Sequence, residues 1–289
     1  MSEQVKVAVI GGSGLYEIEG LTHLREVKIS TPFGDPSDSI MVGKLGEWEV
    51  AFLPRHGRGH RILPTEVNVR ANIWALKSLG VERIIGINAV GSLRVDYCPR
   101  DLVIPDQLVD RTRRMPNTFF GNGIVGHIAF AEPFCPNMRR LALQATEGLT
   151  LNVHSAGTLL CMEGPAFSTK AESNLYRSWG MDIIGMTTSP EAKLAREAEI
   201  CYAALTFVTD YDCWHEDHDS VTVDMVIENL QSNVSNAKQI IRNMIPLLEQ
   251  ESRTCACGTA LQTAVMTNPS VIPAQVKEDL KPIIGKYYK

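Results

Sequence analysis

The sequence predicts an α/β fold: a single domain with a mostly parallel, twisted central sheet flanked by helices. Three observations predict it. Short apolar runs alternate with amphipathic stretches through residues 1–250. Residues 67–87 read as helix, glycine stop and strand in direct succession. No internal repeat, low-complexity run or obvious linker interrupts that span. Such alternation places helices on both faces of a parallel sheet, because each crossover between parallel strands needs a helix-length connection.

The elements follow in chain order. Val5–Ile10 is an apolar strand stopped by Gly11-Gly12-Ser13-Gly14, and Glu49–Leu53 is a second, ending at Pro54-Arg55-His56-Gly57. Val67–Leu79 reads as a helix closed by Gly80, followed at once by the strand Arg83–Ile87. Asn137–Gly148 has helical character, and Thr169 with Glu172 forms a capping box. Asp182–Gly185 is a strand candidate. Ser189-Pro190-Glu191 supplies the N-cap, N1 and N2 of a helix running to about Glu199, and the strand Cys201–Val208 comes next. Val223, Val226, Ile227, Leu230, Val234, Ala237, Ile241 and Met244 recur at helical steps, with Thr222 as the cap; this is the strongest helical pattern in the chain. Residues 251–289, punctuated by Asn268-Pro269 and Ile272-Pro273, read as a C-terminal extension, partly helical or irregular, appended to a 1–250 domain.

Composition narrows the function classes. The chain has 289 residues, 28 Lys+Arg against 33 Asp+Glu, a net charge of -5, 44% hydrophobic and 21% charged residues. These values exclude disorder, collagen-like repeats and small disulfide scaffolds. Mild acidity argues against a nucleic-acid partner. No apolar run approaches the ~18 residues of a membrane span, and Met-Ser-Glu-Gln lacks the character of a signal peptide. The expectation is a cytoplasmic location. Of seven cysteines, Cys98, Cys135, Cys161, Cys201 and Cys213 are scattered among apolar or aromatic neighbours, as in a reducing compartment. Cys255-x-Cys257 has no further ligands at zinc-finger spacing, so plain thiols or a tail disulfide are expected rather than a metal.

Ligands of open α/β sheets sit at the carboxyl ends of strands. Read in turn, those ends give Gly12-Ser13-Gly14, Arg55-His56, Asn88-Ala89-Val90-Gly91-Ser92, Met186-Thr187-Thr188 and Asp210-Tyr211-Asp212. The glycine turn could hold an anion on backbone N–H groups or be a tight turn without ligand; Glu17 stands where a dinucleotide fingerprint needs its third glycine. Arg55, with its planar donor fork, lies in a stretch where two glycines interleave with cations, which favours a compact anion such as phosphate over a solvated basic loop. Thr187-Thr188 could add hydroxyl donors or merely begin a helix. Asp210 and Asp212 point to a turn, a metal site with His215 and His218, or acid catalysis.

Gly11–Leu15, Thr31-Pro32-Phe33-Gly34-Asp35-Pro36-Ser37-Asp38, Arg55-His56-Gly57, Asn72–Lys77 and Ala131–Pro136 together resemble the trimer-building purine nucleoside phosphorylases. Glu163-Gly164-Pro165, Gly185–Thr188 and above all Asp210-Tyr211-Asp212-Cys213-Trp214 resemble the 5'-methylthioadenosine branch of that family. The likeness runs in order through residues 5–250 and does not cover the tail well. It implies a nucleoside phosphorylase fold and phosphorolysis of 5'-methylthioadenosine to adenine and 5-methylthioribose 1-phosphate. Inorganic phosphate would be a co-substrate, and no cofactor or metal is implied.

By position, the resemblance gives Ser13, Arg55, His56, Asn88, Ala89 and Thr187 to phosphate, and Met186 to the ribose. Asp210 becomes the general acid at purine N7, Asp212 the acceptor for the 6-amino group, and Phe167 the stacking ring. Val223 and a neighbouring subunit's His127 would line the methylthio pocket, which implies a homotrimer or a dimer of trimers. Asn88 stands where the methylthioadenosine enzymes commonly have a small hydroxyl residue, and Ala166 where Arg is common. The alternatives are a 6-oxopurine nucleoside phosphorylase acting on inosine or guanosine, a hydrolase, and a non-catalytic nucleoside-binding module. The Asp pair favours a 6-amino purine, since an ionised carboxylate accepts but cannot donate. The Cys255/Cys257 pair resembles the tails of some archaeal relatives with disulfides.

Overall fold

The computed structural model describes residues 5–12, 14–15, 17–215 and 223–288, and for 223–228 and 230–232 the backbone alone. The chain opens with four strands, β1 (Val7–Gly11), β2 (Leu21–Val27), β3 (Ile40–Leu45) and β4 (Trp48–Pro54), then helix α1 (Val69–Ser78) and strand β5 (Arg83–Ser92). Short strands β6 (Leu102–Val103) and β7 (Gln107–Asp110) precede α2 (Pro136–Gln144), β8 (Val153–His154) and β9 (Thr158–Cys161). Then come α3 (Lys170–Ser178), β10 (Ile183–Gly185), α4 (Thr188–Glu197), β11 (Cys201–Asp210) and the long α5 (Val223–Gln250). Helices α6 (Ala274–Asp279) and α7 (Lys281–Ile284) follow near the end.

Among the described residues these strands form one mixed sheet, with parallel pairing at its centre. β1 lies parallel between β4 and β5, and β5 runs parallel with β11 along most of its length. Antiparallel pairing appears at the β2–β3–β4 edge and where β10 meets the end of β5. The two-residue side-chain alternation of β1 explains why both faces need cover. Ala8 and Ile10 face a cluster with Ile73 and Leu76 of α1 and Leu194 of α4. Val7 and Val9 face the opposite cluster, with Met138 and Leu141 of α2 and Ile240, Ile241 and Met244 of α5. β11 is buried at every position, as a strand covered on both sides must be. The expected α/β single domain is what the fold shows.

The strong local signals hold. Gly80 follows α1 at φ +96°, and the Thr169–Glu172 capping box is reciprocal at the start of α3. Two elements depart from expectation. The 137–148 helix starts at Pro136 and ends at Gln144, because Pro136 is suited to a first helical turn. The Ser189 hydroxyl does not cap α4; it donates to Asp110 at 2.6 Å, while Ser189 keeps extended backbone angles between Thr188 and Pro190. Thr222 lies outside the described residues. In the tail, Leu261, Ile272, Leu280 and Ile283 join the α1/α4 cluster, and Trp74 Nε1 donates to the Asp279 carbonyl at 2.8 Å.

Candidate active site

Parallel strands bring their carboxyl ends to one edge of the sheet, and the site is built there. Arg55 follows β4, with its backbone N–H on the Gly11 carbonyl at 2.9 Å. Asn88 and Gly91 of β5 are in register with Thr206 and Asp210 of β11. Thr187 caps α4 directly after β10, and the Asn88 amide reaches its hydroxyl at 2.8 Å. The amide oxygen of Asn88, Oδ1, is buried and finds no hydrogen-bond partner among the described residues. Ala89, by contrast, is an exposed position in mid-strand.

Arg55 is buried and held on several sides. Its Nε and Nη2 fork onto the Glu191 carboxylate at 2.9 Å each. Nη1 donates to the Ile87 carbonyl at 3.0 Å and Nη2 to that of Ile10 at 3.4 Å. Four of the five guanidinium donors are thus occupied by protein. Glu191 also accepts from the Tyr202 hydroxyl at 2.7 Å. His56, next in sequence, has Nδ1 2.9 Å from the Ile62 carbonyl, so Nδ1 carries the proton and Nε2 is an acceptor. Burial first, and the Arg55 charge second, lower His56 to about 4, which leaves a neutral ring at pH 7.

The two acids close the other side. Asp210 is 6% exposed and Asp212 7%. Asp210 Oδ2 accepts from the Thr209 hydroxyl at 2.7 Å, and Oδ1 from the Asp212 backbone N–H at 2.8 Å. Burial raises the Asp210 carboxyl above its ordinary value and outweighs those two bonds, with the Asp212 charge adding to the rise. Burial raises Asp212 as well, and its Oδ2 has no hydrogen-bond partner among the described residues. Gly91 makes the arrangement possible: a Cβ there would stand 2.9 Å from Asp210 Oδ1 and 3.1 Å from Ile184. Asp212 itself sits at φ +52°, a turn that aspartate tolerates better than most residues.

The surrounding residues divide. Met186 packs under Gly164, where an added Cβ would meet its sulfur at 2.5 Å. Phe167 is 46% exposed and precedes Ser168, whose carbonyl accepts from the Cys213 thiol at 3.2 Å. That bond, with Trp214 Nε1 on the Ser92 carbonyl at 2.8 Å, fastens the segment carrying the acids to its neighbours. His127 is exposed on a loop tied to the tail, its N–H on the Ala264 carbonyl at 2.9 Å, and not to the strand ends. Ser13, His218 and the Val223 side chain lie outside the described residues. His215 lies against Tyr211 and Trp214, with ring centres 4.9 Å away in both cases.

Sequence reasoning missed Glu191 and Tyr202, which hold Arg55. A signal existed. Glu191, Leu194, Ala195 and Ala198 fall at helical steps on one buried face. A carboxylate on an apolar face must be paired, hydrogen-bonded or neutralised. The metal reading also changes. Among the described residues the only cluster of three or more metal-ligating side chains is Cys135, Cys201, Cys255 and Cys257. No ligand follows Cys255-x-Cys257 at finger spacing, yet the fold brings two further thiols beside the pair from distant segments. Cys98 is exposed.

Comparison with known proteins places this geometry. A profile of the phosphorylase superfamily matches residues 6–246. The S-methyl-5'-thioadenosine phosphorylase of Koribacter versatilis is 55% identical over 99% of this chain and 97% of its own. The chain belongs to the S-methyl-5'-thioadenosine phosphorylase family, within the phosphorylase superfamily. Solved structures of that family share the fold. A methylthioadenosine phosphorylase sourced from an antarctic soil metagenomic library superposes with TM-score 0.93 at 47% identity, covering 97% of this chain and 99% of that one. The Schistosoma mansoni methylthioadenosine phosphorylase in complex with adenine gives TM-score 0.83 at 37% identity over 91% of this chain and 99% of that one.

Proposed function

We propose that this chain catalyses phosphorolysis of S-methyl-5'-thioadenosine to adenine and 5-methylthioribose 1-phosphate. The observation that carries the reading is the buried Asp210–Asp212 pair standing on Gly91, across the β5 end from the Asn88, Ala89 and Thr187 group. Phosphate attacks C1' of the ribose, forming the C1'–O bond as the C1'–N9 bond breaks. The transition state has oxocarbenium character, with negative charge moving onto the purine. Asp210, whose carboxyl burial raises above its ordinary value, gives its proton to N7 and is left as the carboxylate. The unpartnered Oδ2 of Asp212 accepts from the 6-amino group, which favours adenine over a 6-oxo base.

On the anion side the chain offers few charges and several dipoles. The Asn88 amide has two ends that a flip exchanges. With Oδ1 on the Thr187 hydroxyl, its NH2 group takes the place of the unpartnered atom and donates to phosphate. His56 Nε2 accepts the hydroxyl of hydrogen phosphate, and Arg55 contributes its fixed positive charge and its remaining N–H. Ser13 adds a donor at the glycine turn, Met186 covers the ribose, Phe167 stacks on the base, and Val223 with a neighbour's His127 lines the methylthio group. The exposed position of His127 fits a residue used across a subunit boundary. A homotrimer or dimer of trimers in the cytoplasm, using no organic cofactor, completes the reading. Among the described residues no helix is long and apolar enough to cross a membrane.

The deciding experiment is a substrate panel with and without phosphate. Methylthioadenosine should be the best substrate, adenosine poorer by up to ~10²-fold, since an apolar pocket rejects an added hydroxyl only that well. Inosine as the best substrate, or turnover independent of phosphate, overturns the proposal. Native mass measurement tests the trimer.

A further inference from the structure

We propose that Cys135, Cys201, Cys255 and Cys257 form a tetrathiolate site for one zinc ion, which fastens the C-terminal tail to the sheet. Their four sulfur atoms all lie within 4.8 Å of one another. A tetrahedral Zn–S₄ centre with bonds of ~2.3 Å has sulfur separations of ~3.8 Å, so the wider pairs need close, and the Cys201–Cys255 pair open, by no more than about an ångström. Cys201 and Cys255 are 3.3 Å apart, well beyond the ~2.05 Å of a disulfide.

Two ligands come from rigid elements. Cys135 is the N-cap of α2, with its N–H on the Tyr202 carbonyl at 2.8 Å, and Cys201 opens β11, with its N–H on the Glu82 carbonyl at 2.9 Å. The other two come from the tail, where Cys255 caps the short turn Ala256–Thr259 that contains Cys257. Three of the four are buried in the cluster that covers the α2/α5 face. Soft, closely spaced thiolates with no carboxylate or imidazole among them select zinc over magnesium or calcium.

Charge is balanced locally. Four thiols binding Zn²⁺ release four protons and leave a centre of net charge −2. Arg253 Nε donates to the Cys201 sulfur at 3.3 Å, and Arg83 lines the same small cleft with its Nη2 on the Glu251 carbonyl at 2.6 Å. The start of α2 at Cys135 adds the favourable end of a helix dipole. Glu251 lines the same cleft, which is on the opposite sheet face from the α1/α4 cluster.

The test is metal analysis of the full chain purified anaerobically with reductant and without chelator. About one zinc per chain is expected. After removal with a mercurial and chelator, added Co²⁺ should give intense red-region bands and a thiolate-to-cobalt absorption, the signature of a tetrahedral thiolate site. Cys257→Ser should lower zinc content at least tenfold and expose the tail to limited proteolysis. Should that variant fail to fold, the cobalt spectrum of the wild-type chain decides alone. Protein that holds less than a tenth of an equivalent of zinc and gives no cobalt spectrum overturns the proposal. So does an intact mass lower by two hydrogens per bond, which assigns the thiols to disulfides.

Discussion

Replacing Glu191 by alanine should destabilise the protein far more than a typical helix substitution. Glu191 is 1% exposed and Arg55 3%, and they share two bonds of 2.9 Å. Removing one member of a buried ion pair leaves an uncompensated charge and costs about 3–5 kcal/mol. The Tyr202 hydroxyl, which donates to Glu191 at 2.7 Å, loses its acceptor as well, at about 1–3 kcal/mol. At ~2 °C per kcal/mol for a chain this long, the ion pair alone predicts a fall in Tm of about 6–10 °C. Differential scanning fluorimetry at fixed protein concentration measures it. The triple variant Arg55→Met, Glu191→Leu, Tyr202→Phe replaces the three polar side chains by apolar groups and should recover part of that loss, the Ile87 and Ile10 carbonyls still losing their Arg55 donor, while turnover at ordinary phosphate stays depressed. A Glu191→Ala protein whose Tm matches that of the wild type would refute the reasoning, since a pair this buried cannot be broken without cost. A triple variant as unstable as Glu191→Ala would show that the loss is one of packing and not of charge.

The remaining predictions concern the acids. Asp210→Asn should lower kcat by ~10² or more with a smaller effect on KM, the scale of a lost general acid, as steady-state assays on methylthioadenosine would show. In the wild type, kcat should fall as pH rises through the elevated Asp210 value, because the acid form is lost, and Asp210→Asn should remove that limb. Gly91→Ala places a Cβ 2.9 Å from Asp210 Oδ1 and 3.1 Å from Ile184; a drop in kcat of ~10-fold or more is expected with secondary structure by circular dichroism unchanged. Glu197, buried beneath Thr118 and Phe119, is raised to about 7 chiefly by burial. The folded state then keeps a proton that the unfolded chain releases near its ordinary value, so stability is full at low pH and declines as pH rises toward about 7. Denaturation measured from about pH 5 to about pH 8 should show that decline in the wild type and a flatter curve in Glu197→Gln.

Much of the architecture was legible because local chemistry and global fold agree. The α1–Gly80–β5 unit, the capping box at Thr169 and Glu172, and the periodic face of α5 are each written within a few residues. Three of the strands that went unread have a physical excuse. β2 is an edge strand exposed through its middle, so burial writes no alternation into it, and β6 and β8 are two residues long. Ser189 misleads for a different reason. Its hydroxyl satisfies Asp110, 79 positions away, and a long-range partner outcompetes the local cap.

The site divides along the same line. Asp210, Asp212 and Thr187 stand at or just after strand ends, where the topology of a parallel sheet gathers residues whatever lies between them, so their candidacy could be read from the sequence, whereas β5 runs on past Asn88 to Ser92. What holds or joins them could not. Arg55 meets Glu191 across 136 positions. Cys201 meets Cys255 across 54. Spacing rules describe ligands carried on one turn or hairpin, and a search for Cys255-x-Cys257 partners by spacing therefore excludes the two thiols that the fold delivers at α2 and β11. The better signal is energetic. A carboxylate at a helical step among Leu194, Ala195 and Ala198 must find a partner somewhere, because its alternative is an unpaired charge in an apolar interior. Asking what such a residue requires, before asking which motif it belongs to, leads to the Arg55 guanidinium for Glu191.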